Sequence, residues 1–271
     1  MKISIFQIYK LRKITGIGIM DCKIALTKTN GNFEKAIDFL RKKGEKIAIN
    51  RSSLEVKEGA ILSSVNIDQT SGTIIGLSCE TDFLSRSSDF LNFLSKLSEK
   101  SFLYNTKKDF LSSSYHGRSI REMIIEKISV FDEKLELKIF EKINSPFVVN
   151  YTHNNKIASL VGFSFEIKKS IAKNIAMHIT AMNPIAINKK EIPEDLIKKE
   201  LEIIRFQIEK EKKTDQIKEK MILGRMKKFI LENTLFNQKY IKDNNITVQE
   251  YMNRSFSKNV KINSYKRISI S

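Results

Sequence analysis

The sequence predicts an α+β protein with an N-terminal helical domain, two related α+β core subdomains and a projecting helical hairpin. Apolar residues recur at helical spacing at the N-terminus, alternate with polar residues in two later stretches, and return to helical spacing after Pro193. The matching stretches "IIGLSCE" and "LVGFSFE" also place Gly76 and Gly162 in register. Together these observations indicate a duplicated α+β core between helical modules.

The N-terminal segment predicts three short helices. The first should stop at "TGIGIMD", where Gly16 and Gly18 allow backbone angles that other residues disfavour. The second is expected over residues 21 to 28, and Asn32 should cap the third after the "NGN" break. Basic residues and Gly44 should close that third helix. So small a bundle with a glycine loop resembles a ubiquitin-associated (UBA) domain.

Alternating periodicity predicts two hairpins in the core. "AILSSVNIDQTSGTIIGLSCE" has a polar turn between two alternating runs, and the helical "DFLNFLSKLS" follows it. "PFVVNYTHNNKIASLVGFSFE" repeats this order before the helical "IAKNIAMHITAM". We expect the intervening strand "LELKIFEKI" to join the second sheet and "VKINSYKRISIS" to form an edge strand of that sheet.

The segment after Pro193 predicts an antiparallel coiled-coil hairpin. Pro193 suits a first helical turn, and "KKTDQ" interrupts the pattern midway. We expect Gly224 to allow the two helices to approach closely. The residues expected to form the apolar seam are Leu196, Ile203, Ile204, Ile208, Ile217, Met221, Met226 and Phe229.

These elements divide the chain into four units. We expect the UBA-like N-terminal domain to cover residues 1–53, core subdomain N residues 54–144, core subdomain C residues 145–189 and 234–271, and the coiled-coil hairpin residues 190–233. Nothing near the N-terminus resembles a secretory signal, and no apolar run approaches the length that spans a bilayer. A soluble, cytoplasmic protein is therefore expected.

The composition raises one alternative function. A formal net charge of +17 favours nucleic-acid binding, because clustered lysine and arginine displace counterions from phosphates. The lysines are instead spread along the chain and interleaved with glutamate, and zinc-finger spacing and a basic arm are both lacking. We expect no specific nucleic-acid partner, and a basic ribosome- or RNA-associated binding protein remains the alternative.

The sequence offers no catalytic constellation. Cys22 and Cys79 stand among apolar residues without a metal-ligand partner nearby, so both are expected to be small buried hydrophobes. The phosphate-binding G-x-x-x-x-G-K-[ST] and the nucleophile motif G-x-S-x-G are absent, and His116, His153 and His178 have no metal-binding spacing. We therefore expect no enzyme activity, no cofactor and no metal.

Four ordered motifs resemble one protein family. "LRKITGIGIMDCKIALTKTNGNFEKAIDFLRKKG" resembles the N-terminal pattern of the bacterial elongation factor Ts family, and "TDF", "IAMHITAMNP" and "GRMKKF" resemble further motifs of that family in the same order. The resemblance covers essentially the whole chain. It implies a nucleotide-exchange factor for the GTPase elongation factor Tu, acting on the GDP-bound or nucleotide-free GTPase without binding nucleotide itself.

The resemblance also implies a set of partner-binding residues. Arg12, Met20 and Lys23 match docking positions of the N-terminal domain. Thr81, Asp82 and Phe83 match the signature in which an Asp-Phe pair wedges near the magnesium and phosphate site of the GTPase. Ile157 and His178 match contact positions of the second core subdomain.

Each of these roles has a purely structural alternative. Asp82 could serve only as a helix N-cap, and Phe83 could be an ordinary core residue. His178 could be a histidine whose hydrogen bonds are satisfied within its own subdomain. Met20 could pack inside its own helical bundle. These alternatives differ in exposure, which the folded structure determines.

Overall fold

A computed structural model describes residues 3–115, 117–256 and 260–270, so His116 lies outside the described residues. Within these ranges the protein is α+β. Two three-stranded antiparallel sheets pack against each other and carry helices on their outer faces. Three helices precede this body, and a pair of long helices is inserted late in the chain.

The helices are α1 (Ile5–Thr15), α2 (Ile19–Lys28), α3 (Phe33–Asn50), α4 (Asp82–Arg86), α5 (Ser88–Ser101), α6 (Lys107–Ser112), α7 (Ile120–Phe131), α8 (Lys169–Met182), α9 (Glu194–Glu209), α10 (Asp215–Asn233) and α11 (Val248–Ser255). The strands are β1 (Glu58–Val65), β2 (Ser71–Cys79), β3 (Ser114–Tyr115), β4 (Arg118–Ser119), β5 (Glu136–Asn144), β6 (Phe147–His153), β7 (Ile157–Phe163), β8 (Lys239–Tyr240), β9 (Asp243–Thr247) and β10 (Ile262–Ser269). Single 3-10 turns lie at Lys189–Glu191 and Leu235–Asn237.

The N-terminal helices begin and end largely where local chemistry predicts. Gly16 has a φ of 73° and ends α1 in the left-handed conformation that glycine tolerates best. The Asn32 side chain accepts a hydrogen bond from the Lys35 amide and caps α3. Leu11, Cys22, Leu26 and Leu40 are buried where the three helices meet.

The prediction that α3 ends at Gly44 is wrong, because the helix continues to Asn50. Gly44 instead lies where α3 meets α7, and a Cβ added there would stand 2.0 Å from the Ser129 Oγ. Ile47 and Ala48, in the added turns, pack against the core of the first sheet. This tertiary packing outweighs the tendency of glycine to end a helix.

The two sheets share a plan that supports the predicted duplication. Their strand orders are β1-β2-β5 and β10-β7-β6, with Gly76 in the central strand of one and Gly162 in the central strand of the other. Thr73 on β2 bonds the Ser101 hydroxyl on α5. Ser159 on β7 likewise bonds the Thr180 hydroxyl on α8, at 2.7 Å. Each central strand is thus tied to its covering helix through a pair of hydroxyl groups.

The expectation that "LELKIFEKI" joins the second sheet is wrong. This segment forms β5, which pairs antiparallel with β2 from Ser71↔Asn144 to Ser78↔Glu136. The preceding helix α7 packs on the first sheet through Ile120, Ile124 and Ile128, so the chain leaves it beside β2. The predicted edge strand at the C-terminal end is confirmed as β10, which pairs with β7.

An apolar layer joins the two sheets. Ile61, Ile74, Val148 and Leu160 are fully buried in it. Gly72 permits this approach, because an added Cβ would lie 2.7 Å from the Leu160 Cδ2. The outer face of the first sheet is covered mainly by α5 and α7, and that of the second by α8 and the segment around α11.

The late helix pair is confirmed as two helices, and the details of its predicted seam are partly wrong. Ile204 and Ile208 are buried on α9, whereas Ile203 is 51% exposed and Ile217 is 45% exposed. Gly224 has no neighbour within 4 Å of an added Cβ, so it does not mediate close approach. The pair gains one polar contact from the Arg225 Nη1, which donates to the Gln207 Oε1 at 2.9 Å.

The segment between α10 and β10 contains structure that the sequence patterns did not predict. The short β8–β9 hairpin and α11 pack on the second sheet's outer core, where Leu235, Tyr240 and Met252 are buried. Within the part of the chain that the structure describes, no helix is both long and apolar enough to cross a bilayer.

Candidate functional site

The signature segment forms a short turn between β2 and α4. Thr81 is the N-cap of α4, with an extended backbone and an Oγ1 that accepts from the Leu84 amide at 3.2 Å. Asp82 is the first helical residue, so its alternative role as the N-cap is wrong. Phe83 follows and is 85% exposed, which excludes the alternative that it is a core residue. The turn therefore presents an aromatic ring to solvent.

A glutamate from a distant part of the chain holds this turn. The Glu133 Oε2 accepts from the backbone amides of Glu80 and Thr81, each at 3.0 Å. The Glu133 Oε1 accepts from the Thr81 hydroxyl at 2.6 Å. Carboxylates that accept several hydrogen bonds make strong, directional anchors. The backbone before α4 is therefore fixed by one side chain from the α7–β5 loop.

The same turn is tied to the end of α3. The Arg51 Nη1 donates to both carboxylate oxygens of Glu80, at 2.9 and 2.8 Å. The Glu80 Oε1 also accepts from the Lys134 amide at 2.6 Å. The neighbouring Glu80 carboxylate raises the pKa of Arg51 above its ordinary value. Arg51 directly follows α3, so these bonds link the N-terminal helices to the turn.

Asp82 carries negative charge at the start of α4. Its carboxylate pairs with Arg86 at 3.3 Å, one helical turn further on. The Asp82 side chain is 41% exposed, so it is accessible beside Phe83. Its position in the first turn is also favourable for the helix dipole.

Cys79 lies at the base of the turn as a protonated thiol. Burial, with the nearby Glu133 charge, raises the pKa of this thiol to about 12. The Cys79 Sγ donates to the Thr81 carbonyl at 3.2 Å. This arrangement agrees with the prediction that Cys79 is a small buried residue, and Cys22 is buried too.

The N-terminal candidates all lie on the surface. Arg12, Met20 and Lys23 are exposed, and the 66% exposure of Met20 does not agree with the alternative that it packs inside its bundle. Sequence reasoning missed the neighbouring exposed apolar residues Ile5, Phe6 and Tyr9, which are 73%, 76% and 57% exposed. The sequence contained a signal for them, because Tyr9 is four residues after Ile5 and three after Phe6, spacings that bring side chains together on a helix surface.

The two candidates in the second subdomain differ in accessibility. Ile157 is half-buried at the start of β7, where it pairs with His153 and Ser269. His178 is fully buried on α8. Its expected contact role does not agree with this burial, whereas the alternative of a histidine satisfied within its own subdomain does.

The His178 ring is held by both nitrogens. The Nδ1 accepts from the Ile241 amide at 3.2 Å, and the Nε2 lies 3.0 Å from the Gln238 Oε1. The bond from the Ile241 amide requires an unprotonated Nδ1, so the neutral ring donates from Nε2. Burial lowers the pKa of His178 and favours this neutral form.

The structure thus brings Thr81, Asp82 and Phe83 into one turn and links that turn to the end of the N-terminal helices. It places His178 in the interior of the second subdomain. Among the described residues, no group of three or more His, Cys, Asp or Glu side chains is arranged to hold a metal ion. At the turn, an exposed aromatic ring lies beside an accessible carboxylate. This arrangement suits contact with another macromolecule.

Known proteins are similar to this chain over nearly its whole length. The family described as "Elongation factor TS" matches residues 80–271. The chain is 41% identical to Elongation factor Ts of Flavobacterium psychrophilum over 271 residues, which covers 99% of this chain and 98% of that protein. It is 40% identical to Elongation factor Ts of Christiangramia forsetii, with 93% of each chain covered. It is 35% identical to Elongation factor Ts of Azobacteroides pseudotrichonymphae, covering 100% of this chain and 99% of that protein.

Proposed function

The chain belongs to the elongation factor Ts family, and on that premise we propose that it binds elongation factor Tu and promotes release of GDP, so that GTP can take its place. The observation that carries this proposal is Phe83, which is 85% exposed on a turn held by several hydrogen bonds. We further propose that the protein acts in the cytoplasm and is an exchange factor rather than an enzyme.

Each surface of the protein has a role in this exchange. Arg12, Met20 and Lys23 form a docking surface on a UBA-like domain, and α9 with α10 forms a coiled-coil hairpin. Asp82 and Phe83, after the N-cap Thr81, form the wedge. Ile157 contacts the partner from the start of the central strand β7, while buried His178 acts indirectly by holding the Gln238–Ile241 segment.

Thermodynamic reciprocity explains how such a protein accelerates exchange. Consider a protein that binds the nucleotide-free GTPase more tightly than the nucleotide-bound GTPase. The ratio of these two affinities is also the ratio by which the protein weakens nucleotide binding. Phe83 can supply this difference by separating packed elements of the GTPase that close around the phosphates. The Asp82 carboxylate can compete for amide donors or disturb the water shell of the metal.

The test is stopped-flow release of fluorescent GDP from elongation factor Tu. Wild-type protein should accelerate release. The Asp82→Ala/Phe83→Ala variant should lose roughly 2 to 4 kcal/mol of differential binding, which slows stimulated release by about 30- to 1000-fold. Ile67→Ala is the control, because Ile67 is a 99% exposed apolar residue on the β1–β2 turn, at the opposite end of β2 from Phe83.

The melting temperature completes this test. The double variant should melt within a few degrees of wild type, because its two side chains contribute little to the core. Near-normal GDP release together with a large fall in melting temperature would contradict the proposal that Asp82 and Phe83 form the wedge.

RNA binding is the competing function, favoured by the net charge of +17. The two functions differ in their response to salt. RNA affinity should fall by several orders of magnitude between low and moderate salt, because each neutralised phosphate releases counterions. Binding to elongation factor Tu through a wedge should weaken only modestly. Titration of both partners over the same salt series decides between them.

A further inference from the structure

Phe83 cannot be held in place by its own packing, since its side chain is 85% exposed. Its direction is set by the backbone of α4, which has only five residues. So short a helix is not stable by itself in water. Whatever holds the first turn of α4 therefore also aims the Phe83 ring.

Glu133 holds that first turn through a relay. Its Oε1 accepts a hydrogen bond from the Thr81 Oγ1 at 2.6 Å. A lone pair of the same Thr81 Oγ1 can then accept the hydrogen bond from the Leu84 amide at 3.2 Å. Its Oε2 accepts from the Glu80 and Thr81 amides. One carboxylate thus orients the capping hydroxyl and also anchors the two residues that lead into α4.

Arg51 links the turn to the N-terminal helices. It caps the C-terminal end of α3 and grips the Glu80 carboxylate, which also accepts from the Lys134 amide. Lys134 in turn donates from its Nζ to the Ser52 and Leu54 carbonyls, both at 2.6 Å. The end of α3, the linker after it and the turn therefore form one hydrogen-bonded junction.

We propose that Glu133 and Arg51 are positioning residues for nucleotide exchange: Glu133 fixes the conformation of the Phe83 turn, and Arg51 fixes its placement relative to the docking helices. This inference rests on the proposed exchange function. Neither residue needs to contact the partner. Docking through α1 and α2 then delivers Phe83 at a set position, and the ordering cost is met before binding.

The first experiment needs no partner. Amide hydrogen exchange is measured in the free protein for wild type, Glu133→Ala and the control Glu136→Ala. Glu136 has the same charge and is exposed at the first position of β5, and its side chain makes no hydrogen bond or ion pair within the described residues. The amides of Glu80, Thr81 and Leu84 should exchange at least about tenfold faster in Glu133→Ala and at the wild-type rate in the control.

The second experiment separates docking from positioning. Stimulated GDP release is measured over a range of factor concentrations for Glu133→Ala and Arg51→Ala. The maximal stimulated rate should fall about tenfold, because the competent turn is populated only part of the time. The concentration that gives half-maximal stimulation should change far less. A merely structural role would lower the melting temperature and leave the maximal rate of the folded fraction unchanged.

A double-mutant cycle makes the assignment specific. If Glu133 and Arg51 act through Phe83, either substitution should cause no further loss of rate in the Phe83→Ala background. Losses that multiply with that of Phe83→Ala, or single variants that release GDP at the wild-type rate, would overturn the inference while leaving the exchange function intact. Failure of the wild-type protein to stimulate release would instead refute the exchange function itself.

Discussion

Two phenylalanines on adjacent helices show how much the role of a residue depends on its place. Phe83 on α4 is 85% exposed, whereas Phe90 on α5 is fully buried in the core of the first sheet. The two side chains are identical, and each lies in the first turn of a helix, after the N-cap Thr81 or Ser87. An apolar side chain of this size left in water forgoes about 2 kcal/mol of burial energy, so Phe83 is available for contact with another molecule whereas Phe90 is not.

His178 leads to a pH prediction at this scale. Its folded-state pKa is lowered below the ordinary value of 6.5, so the unfolded chain binds the proton more readily. The stability that depends on the neutral ring is therefore complete above pH 6.5 and is lost as the pH falls below it. Thermal unfolding between pH 8 and about pH 5 should show a steeper loss for wild type than for His178→Gln, whose side chain does not titrate. Parallel curves would contradict this.

Two glycines should respond to alanine with opposite signs. Gly224 lies inside α10 with nothing within 4 Å of an added Cβ, so Gly224→Ala should stabilise the helix by roughly 0.5 to 1 kcal/mol. At Gly59 the same Cβ would lie 2.5 Å from the Leu77 carbonyl oxygen, so Gly59→Ala should destabilise the protein by about 1 to 3 kcal/mol. Chemical denaturation measures both. Equal effects at the two sites would show that backbone entropy alone governs them.

Helices and strands in this chain differ in how they are stabilised. α5 and α7 bury one face on the first sheet, so tertiary packing holds them. α9 and α10 bury little, with Ile204 and Ile208 as the buried apolar residues on α9. Neither of these isoleucines belongs to the apolar clusters of the body. The helix pair is therefore held mainly by contacts between its own two helices.

This difference predicts the outcome of removing the helix pair. Replacing residues 197–229 by a short Gly-Ser linker should leave one cooperative thermal transition within about 5 °C of wild type. The bonds at the base of the pair, from the Leu235 amide to the Ala186 carbonyl and from the Ile185 amide to the Asn233 carbonyl, remain in this variant. Collapse of the transition would show that the pair is part of the main core.

The whole molecule combines a packed body with an N-terminal helical unit that contacts it at several places. The two sheets share an apolar layer, and the N-terminal helices meet the body at α7, where Val130 packs against their cluster. Arg41 of α3 pairs with Glu126 of α7 at 3.3 Å across the same boundary. The N-terminal unit is therefore held at a defined place on the body, beside the turn that carries Phe83.

The docking role proposed for that unit can be measured directly. Arg12→Ala and Met20→Ala should each weaken binding to elongation factor Tu by roughly 1 to 3 kcal/mol, as is typical for truncation of interface anchors. Leu103→Ala, which removes a 64% exposed apolar side chain from the body, should leave the affinity unchanged. Titration calorimetry gives all three values. Wild-type affinity for both N-terminal variants would remove the docking assignment.

The order and type of most elements could be predicted from the sequence, because they depend on short-range patterns. Helical and alternating periodicities located the three N-terminal helices, both hairpins and the late helix pair. Glycine at the end of α1 and asparagine before α3 act on neighbouring backbone groups, so their effects were predictable from the local sequence. The signature motif also identified the turn around Phe83.

The folded structure was needed to reveal the features that depend on residues distant in the chain. It placed β5 beside β2, extended α3 past Gly44, buried His178 and exposed Phe83. Each outcome follows from which surfaces meet in space, and periodicity does not encode a strand's partner or a helix's neighbour. The hydrogen bond between Thr81 and Glu133 joins residues 52 positions apart. Such a contact forms only when the folded chain brings α7 back to the first sheet.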